Sequence, residues 1–144
     1  MNNKYELTDE TKNFCGITLH RIRALRDIPS VNIGPGDLGG WIEKESNLTQ
    51  YGNAMVSGDA MVYGNAEVIN FQDYAVHKNS WSSGRWFTYT RSNKMWKVGC
   101  FCGTGEELVK KAYADSELSG KCYEAIVRAQ EAIDKVIEDA KEAK

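Results

Sequence analysis

Residues 85–97, RWFTYTRSNKMWK, interleave cationic side chains with aromatic rings. An arginine guanidinium offers phosphate a planar fork of donors, and an exposed ring gives a nucleobase a stacking face. Arg85, Trp86, Tyr89, Arg91, Lys94 and Trp96 are therefore the expected ligand contacts, and Arg21 and Arg23 on an upstream strand add a second cationic row. Other chemistries fit less well. Cys100 and Cys102 form a C-x-C pair, whereas structural zinc uses C-x2-C spacing, and Cys122 does not complete a His/Cys quartet. Reduced thiols and no metal or cofactor are expected. Gly103-Thr104-Gly105 precedes a helix, but Glu106 and Glu107 fill the first turn and repel phosphate, so this segment reads as a cap. The chain has two histidines, His20 and His77, that could act as a general base. His77 follows a short repeat, yet a base also needs an orienting partner and a substrate groove. A non-enzymatic protein is the expectation.

These residues sit in a chain of 144 residues with 18 Lys+Arg, 20 Asp+Glu and a formal charge of −2. That length suits one domain with a real core. The total charge conceals an uneven distribution. Residues 71–103 carry Lys78, Arg85, Arg91, Lys94 and Lys97 against Asp73, a net of +4. The flanks are acidic, at −1 over residues 1–48, −2 over 49–70 and −3 over 104–144. A local anion site thus survives within an acidic protein. The polar start and the lack of a long apolar run predict no signal peptide, no membrane span and a cytoplasmic location.

The elements that must position the basic middle follow from periodicity. YGNAMV, SGDAMV and YGNAEV repeat over residues 51–68, with glycine at 52, 58 and 64. Alanine and valine two apart share one strand face, and Gly-Asn or Gly-Asp suits a corner with positive φ. Hexads of this form predict a short left-handed β-helix-like coil, with a looser fourth copy reaching Val76. Upstream, KYELT and ITLHRIRAL read as an antiparallel strand pair turned at DETKN, followed by a GPGDLGG loop. Downstream, Trp86–Arg91 and Met95–Phe101 read as a hairpin turned at Ser92-Asn93. One of its ring layers is expected in the core and the other exposed or at an interface. Thr104 and Glu107 have capping-box spacing ahead of a helix with Leu108, Val109, Ala112 and Tyr113 on one stripe. Gly120 is expected to break that run. Cys122, Ile126, Ala129, Ile133, Val136 and Ala140 then repeat like heptads, predicting a helix that packs one narrow face.

GDLGGWIEKESNL (Gly36–Leu48), running into the G-N/D-A-x-V hexads, resembles small phage and prophage hexapeptide-repeat proteins. LHRIRALRD (Leu19–Asp27) and VGCFCGTGEELVKKAYADSE (Val98–Glu117) add to the resemblance, which spans most of residues 4–118. It implies phage origin and a β-helix, with no assigned activity. The fold class expected is α+β: residues 1–103 form a β region with hexads at 51–68, and residues 104–144 a helical region packed in cis or across subunits. The function expected is a phage-encoded binding protein in the host cytoplasm. It would act in counter-defence by sequestering a phosphate-bearing nucleotide signal or blocking a host defence protein. A structural assembly protein and an acyltransferase are the alternatives. The uncapped coil and narrow helical stripe predict a homo-oligomer through the C-terminal helices.

Overall fold

A computed structural model describes residues 3–14, 16–99 and 101–142. Among them the architecture is α+β, with two four-stranded sheets and two helices. The chain divides into two compact units, Met1–Cys102 and Gly103–Lys144.

The first sheet has the order β1 (Tyr5–Phe14), β2 (Ile17–Ala24), β3 (Leu38–Ile42), β4 (Met61–Val62). DETKN is not a turn: β1 runs through it, and a register shift between Leu7 and Thr11 absorbs the irregularity. The loop before β3 also ends sooner than its glycines suggest, because Leu38, Gly39 and Gly40 are already in the strand. Gly39 and Gly40 are needed there for space. A Cβ on Gly39 would lie 2.7 Å from the Val56 carbonyl oxygen, and one on Gly40 would lie 2.7 Å from Val56 Cγ1. Their absence lets the β3 backbone lie directly against the hexads.

That approach is held by backbone hydrogen bonds. The Gly40, Trp41 and Glu43 amides donate to the carbonyls of Val56, Ala60 and Val62, and Thr49 donates to Val68. β3 pairs in parallel with β4, and Leu48 bridges Val68 in the same sense. Asn47 is buried between the two layers with every polar atom engaged. Its Oδ1 accepts from the Glu43 and Lys44 amides, and its Nδ2 donates to the carbonyls of Gly64 (3.1 Å) and Ala66 (2.8 Å). Within the hexads, Ala54, Val56, Ala60, Val62, Ala66 and Val68 all point into the core, as their spacing requires. Gly52, Gly58 and Gly64 all have positive φ at the intervening corners. The looser fourth copy does not continue the pattern. Residues Phe71–Asp73 form a 3-10 turn and Tyr74–Lys78 become β5, an antiparallel partner of β6.

Lys4 and Tyr5 close one side of this core. Lys4 is completely buried and its Nζ donates to the carbonyls of Tyr51 and Ala54; the Tyr5 hydroxyl donates to those of Glu45 and Leu48. Burial, reinforced by Arg26, lowers the Lys4 pKa from 10.5 to about 8. A neutral amine still has two donors for its two carbonyls. Burial, reinforced by Glu45, pushes the Tyr5 phenol above its ordinary value.

The second sheet has the order β5 (Tyr74–Lys78), β6 (Trp86–Thr90), β7 (Met95–Val98), β8 (Phe101–Thr104). The expected hairpin is β6–β7, with a shorter second arm, since Val98 ends β7 and Phe101 opens a separate strand. Phe87, Tyr89 and Trp96 form the core ring layer, and Trp86 on the other face is half-exposed.

In the helical unit, α1 (Gly105–Asp115) begins with the predicted capping box. The Glu107 amide donates to Thr104 Oγ1, and the Thr104 amide donates to the Glu107 carboxylate. Leu108, Val109 and Ala112 are buried. The break falls at Ser116, not at Gly120, which lies inside α2 (Glu117–Glu142). Gly120 is required by close approach: a Cβ there would lie 2.2 Å from the Tyr113 ring. Arg128 pairs with Glu106 across the two helices (2.9 Å). The buried stripe of α2 passes through Gly120, Val127, Gln130 and Asp134. Of the expected packing face, Cys122 and Ile126 are half-buried, while Ala129, Ile133, Val136 and Ala140 are exposed. No described helix is long and apolar enough to cross a membrane.

Between pH 8 and 10.5 the unfolded chain holds a proton on Lys4 that the folded chain has released, so stability rises with pH through that window. Above pH 10 the unfolded chain loses the Tyr5 proton first, and stability falls. Urea denaturation is expected to show a rise from pH 8 that turns over near pH 10, and Lys4→Met should remove the rise; identical slopes in both proteins would refute the assignment. Gly120→Ala is expected to lower stability by about 1 kcal/mol, because overpacking of ~1–3 kcal/mol outweighs a helix-propensity gain of ~1 kcal/mol. A more stable variant would show that the Tyr113 contact imposes no constraint.

Candidate functional site

Residues from both sheets line an open hollow of about 380 Å³ in the first unit. β1 contributes Lys12, the hexads Asp59 and Met61, β6 Arg85 (just before its start), Trp86 and Thr88, and β7 Lys97 and the adjacent Gly99. Strand register explains the grouping. Thr88 pairs with Lys97 across β6–β7, and Trp86 lies two residues along on the same face. The two sheets meet where the Met61 amide donates to Thr88 Oγ1 (3.2 Å).

Each cation has a distinct support. The Lys12 ammonium sits 4.1 Å from the centroid of the buried Trp41 ring, which orients it by cation–π attraction. Lys97 is largely buried on β7. The Arg85 guanidinium makes no ion pair or hydrogen bond among the described residues. It lies against Gly99, where a Cβ would come within 2.8 Å of Arg85 Nη1. The lining thus combines three cationic side chains with one carboxylate, that of Asp59.

A second hollow of about 330 Å³ adjoins it, lined by Ser57, Gly58, Asp59, Ala60, Val76 and Trp86. Asp59 and Trp86 belong to both. The Trp86 indole is 49% exposed, with the Lys78 ammonium 5.6 Å from its ring centroid. Both volumes fall in the ~300–1,000 Å³ range of small-molecule sites. A cationic compartment joined to a less polar one with an exposed ring is suited to a ligand that is anionic at one end and flat at the other.

The residues expected to form the site are only partly brought together. Arg85 and Trp86 line the hollow. Tyr89 and Trp96 are 4% and 2% exposed, with ring centroids 4.8 Å apart, and they pack in the core layer on the opposite face of the sheet. Arg91 is half-buried beyond the end of β6, and its amide donates to the Asp73 carbonyl. Lys94 is exposed in the β6–β7 turn, with φ 54°. Arg21 is held by the Gly39 carbonyl (3.2 Å), the Trp41 ring and Glu10 (3.5 Å). Arg23 reaches its cross-strand partner Glu6 through both Nε and Nη2. Neither of these arginines lines the hollow. His77 lies on the core-ring face, 5.7 Å from Trp96 between centroids, and lines neither hollow.

Sequence reasoning missed Lys12 and Asp59, which lie far from residues 85–97 in the chain. Lys97 and Thr88 were available from strand alternation, since both share a face with Trp86 once the hairpin register is known. Comparison with family models, curated proteins and solved structures finds no match to this chain.

Proposed function

We propose that this protein is a non-enzymatic, phage-encoded binding protein that sequesters a phosphate-bearing nucleotide in the host cytoplasm, as a counter-defence. The observation that carries this reading is the convergence of Lys12, Arg85 and Lys97 beside the half-exposed Trp86. The cations would take the phosphate through charge-assisted hydrogen bonds, and the indole would stack on the base. The phage setting rests on the resemblance of the Gly36–Leu48 segment and hexads described above. In the finer architecture we propose, residues 51–68 are a short left-handed β-helix-like coil stacked on residues 39–49. The inward Ala and Val pairs and the parallel backbone bonds support that geometry. We also propose self-association through α2, favoured by the exposed row Ala129, Ile133, Val136 and Ala140.

Isothermal titration with cyclic purine nucleotides and ADP-ribose-type nucleotides is expected to show saturable, stoichiometric binding of at least one of them. Arg85→Ala should weaken it about ten- to a hundredfold, as loss of a ~1.5–3 kcal/mol charge-assisted bond requires. Gly99→Ala should weaken it less, because it crowds the guanidinium and leaves the charge. Absence of binding, or unchanged affinity in Arg85→Ala, would remove the proposal. Self-association is checked by sedimentation: Ile133→Glu with Val136→Glu should lower the mass of an oligomer to that of one chain. A wild-type protein that sediments as one chain would exclude it.

A further inference from the structure

Resting on that nucleotide-binding reading, we propose that the juxtaposition of Asp59 and Trp86 makes the second hollow a guanine-selective base site, so that the ligand is a guanine nucleotide. Asp59 stands at the junction of the two hollows. Its carboxylate is exposed and engages in no ion pair or hydrogen bond among the described residues. A carboxylate beside a cationic pocket repels phosphate, so its placement suits the opposite end of a nucleotide.

The chemistry of that end is selective. An ionised carboxylate is acceptor-only, with two oxygens side by side. The Watson–Crick edge of guanine presents two adjacent donors, the ring N1–H and the exocyclic N2 amino group, which match both oxygens at once. Adenine presents one amino donor beside an unprotonated ring nitrogen, which sets a lone pair against the second oxygen. Uracil has a single N–H flanked by carbonyls. Only guanine satisfies the carboxylate without a repulsive contact, and mismatched polar groups are what a site rejects most strongly. The rest of the hollow suits a flat ring: Gly58 and Ala60 add little bulk, and Val76 and Trp86 are both exposed at its edge. The base would lie against Trp86 with its donor edge on Asp59, directing the phosphate toward Arg85, Lys12 and Lys97.

The experiment is calorimetric titration of the full chain with GMP, AMP and inorganic phosphate, repeated on Asp59→Asn. Wild type is expected to bind GMP at least tenfold more tightly than AMP. In Asp59→Asn the side-chain amide supplies one acceptor and one donor, the pattern that suits adenine. The variant should therefore lose GMP affinity at least tenfold, gain affinity for AMP, and bind phosphate no more weakly than wild type. Equal binding of GMP and AMP by wild type, with Arg85-dependent affinity for both, would overturn guanine selectivity and leave the anion site standing. A GMP preference that survives in Asp59→Asn would overturn the role of Asp59. Failure of all three compounds to bind would overturn both readings.

Discussion

The close stacking of residues 39–49 on the hexads is the constraint on which the rest of the first unit depends. Strand backbone buried on both sides must find partners for its amides and carbonyls, and here each layer supplies them to the other. Two glycines permit the approach, because any Cβ at Gly39 or Gly40 would collide with Val56. Asn47 then spans the layers, its four hydrogen bonds replacing backbone pairing where the chain turns away. Lys4 and Tyr5 satisfy carbonyls at the margin, at the cost of a lysine whose pKa is lowered to about 8. A repeat too short to bury its own core is completed by the segments that precede it.

The site inherits its shape from that packing. Parallel pairing with β3 fixes β4, and β4 brings Met61 against Thr88 of the second sheet. Asp59, two residues before Met61, is thereby carried to the junction of the two hollows, beside Arg85 and Lys97. Trp41 serves both purposes, packing beneath the hexads with Leu19, Met61 and Tyr63 and holding the Lys12 ammonium over its ring. Arg21 and Arg23 illustrate the opposite case. Neighbouring carboxylates and carbonyls already occupy their guanidiniums, so a row of like charges in the sequence becomes a set of cross-strand ties.

Much of the local structure was legible before any fold. The inward Ala and Val of the hexads, the positive-φ glycine corners, the β6–β7 hairpin and the Thr104–Glu107 cap all follow from spacing alone, since each depends on neighbours within a few residues. The DETKN strand was not legible, because a bulge lets polar residues continue a strand that propensity would end. Gly120 was misread for a related reason. Glycine weakens a helix and also admits a close neighbour, and only the position of Tyr113 decides between the two.

By itself, the sequence determined which residues face inward along the hexads and α1, and that a positively charged, aromatic segment exists in an acidic chain. Those properties are set by periodicity and composition, which act over short range. The tertiary structure decided which of those aromatics are core and which is presented, burying Tyr89 and Trp96 and leaving Trp86 at the surface. It also decided which cations converge, bringing Lys12 and Asp59 to Arg85 and Lys97 and turning the apolar row of α2 outward. These outcomes depend on register, on close approach and on the direction from which another element packs, none of which is written in the spacing of a single segment.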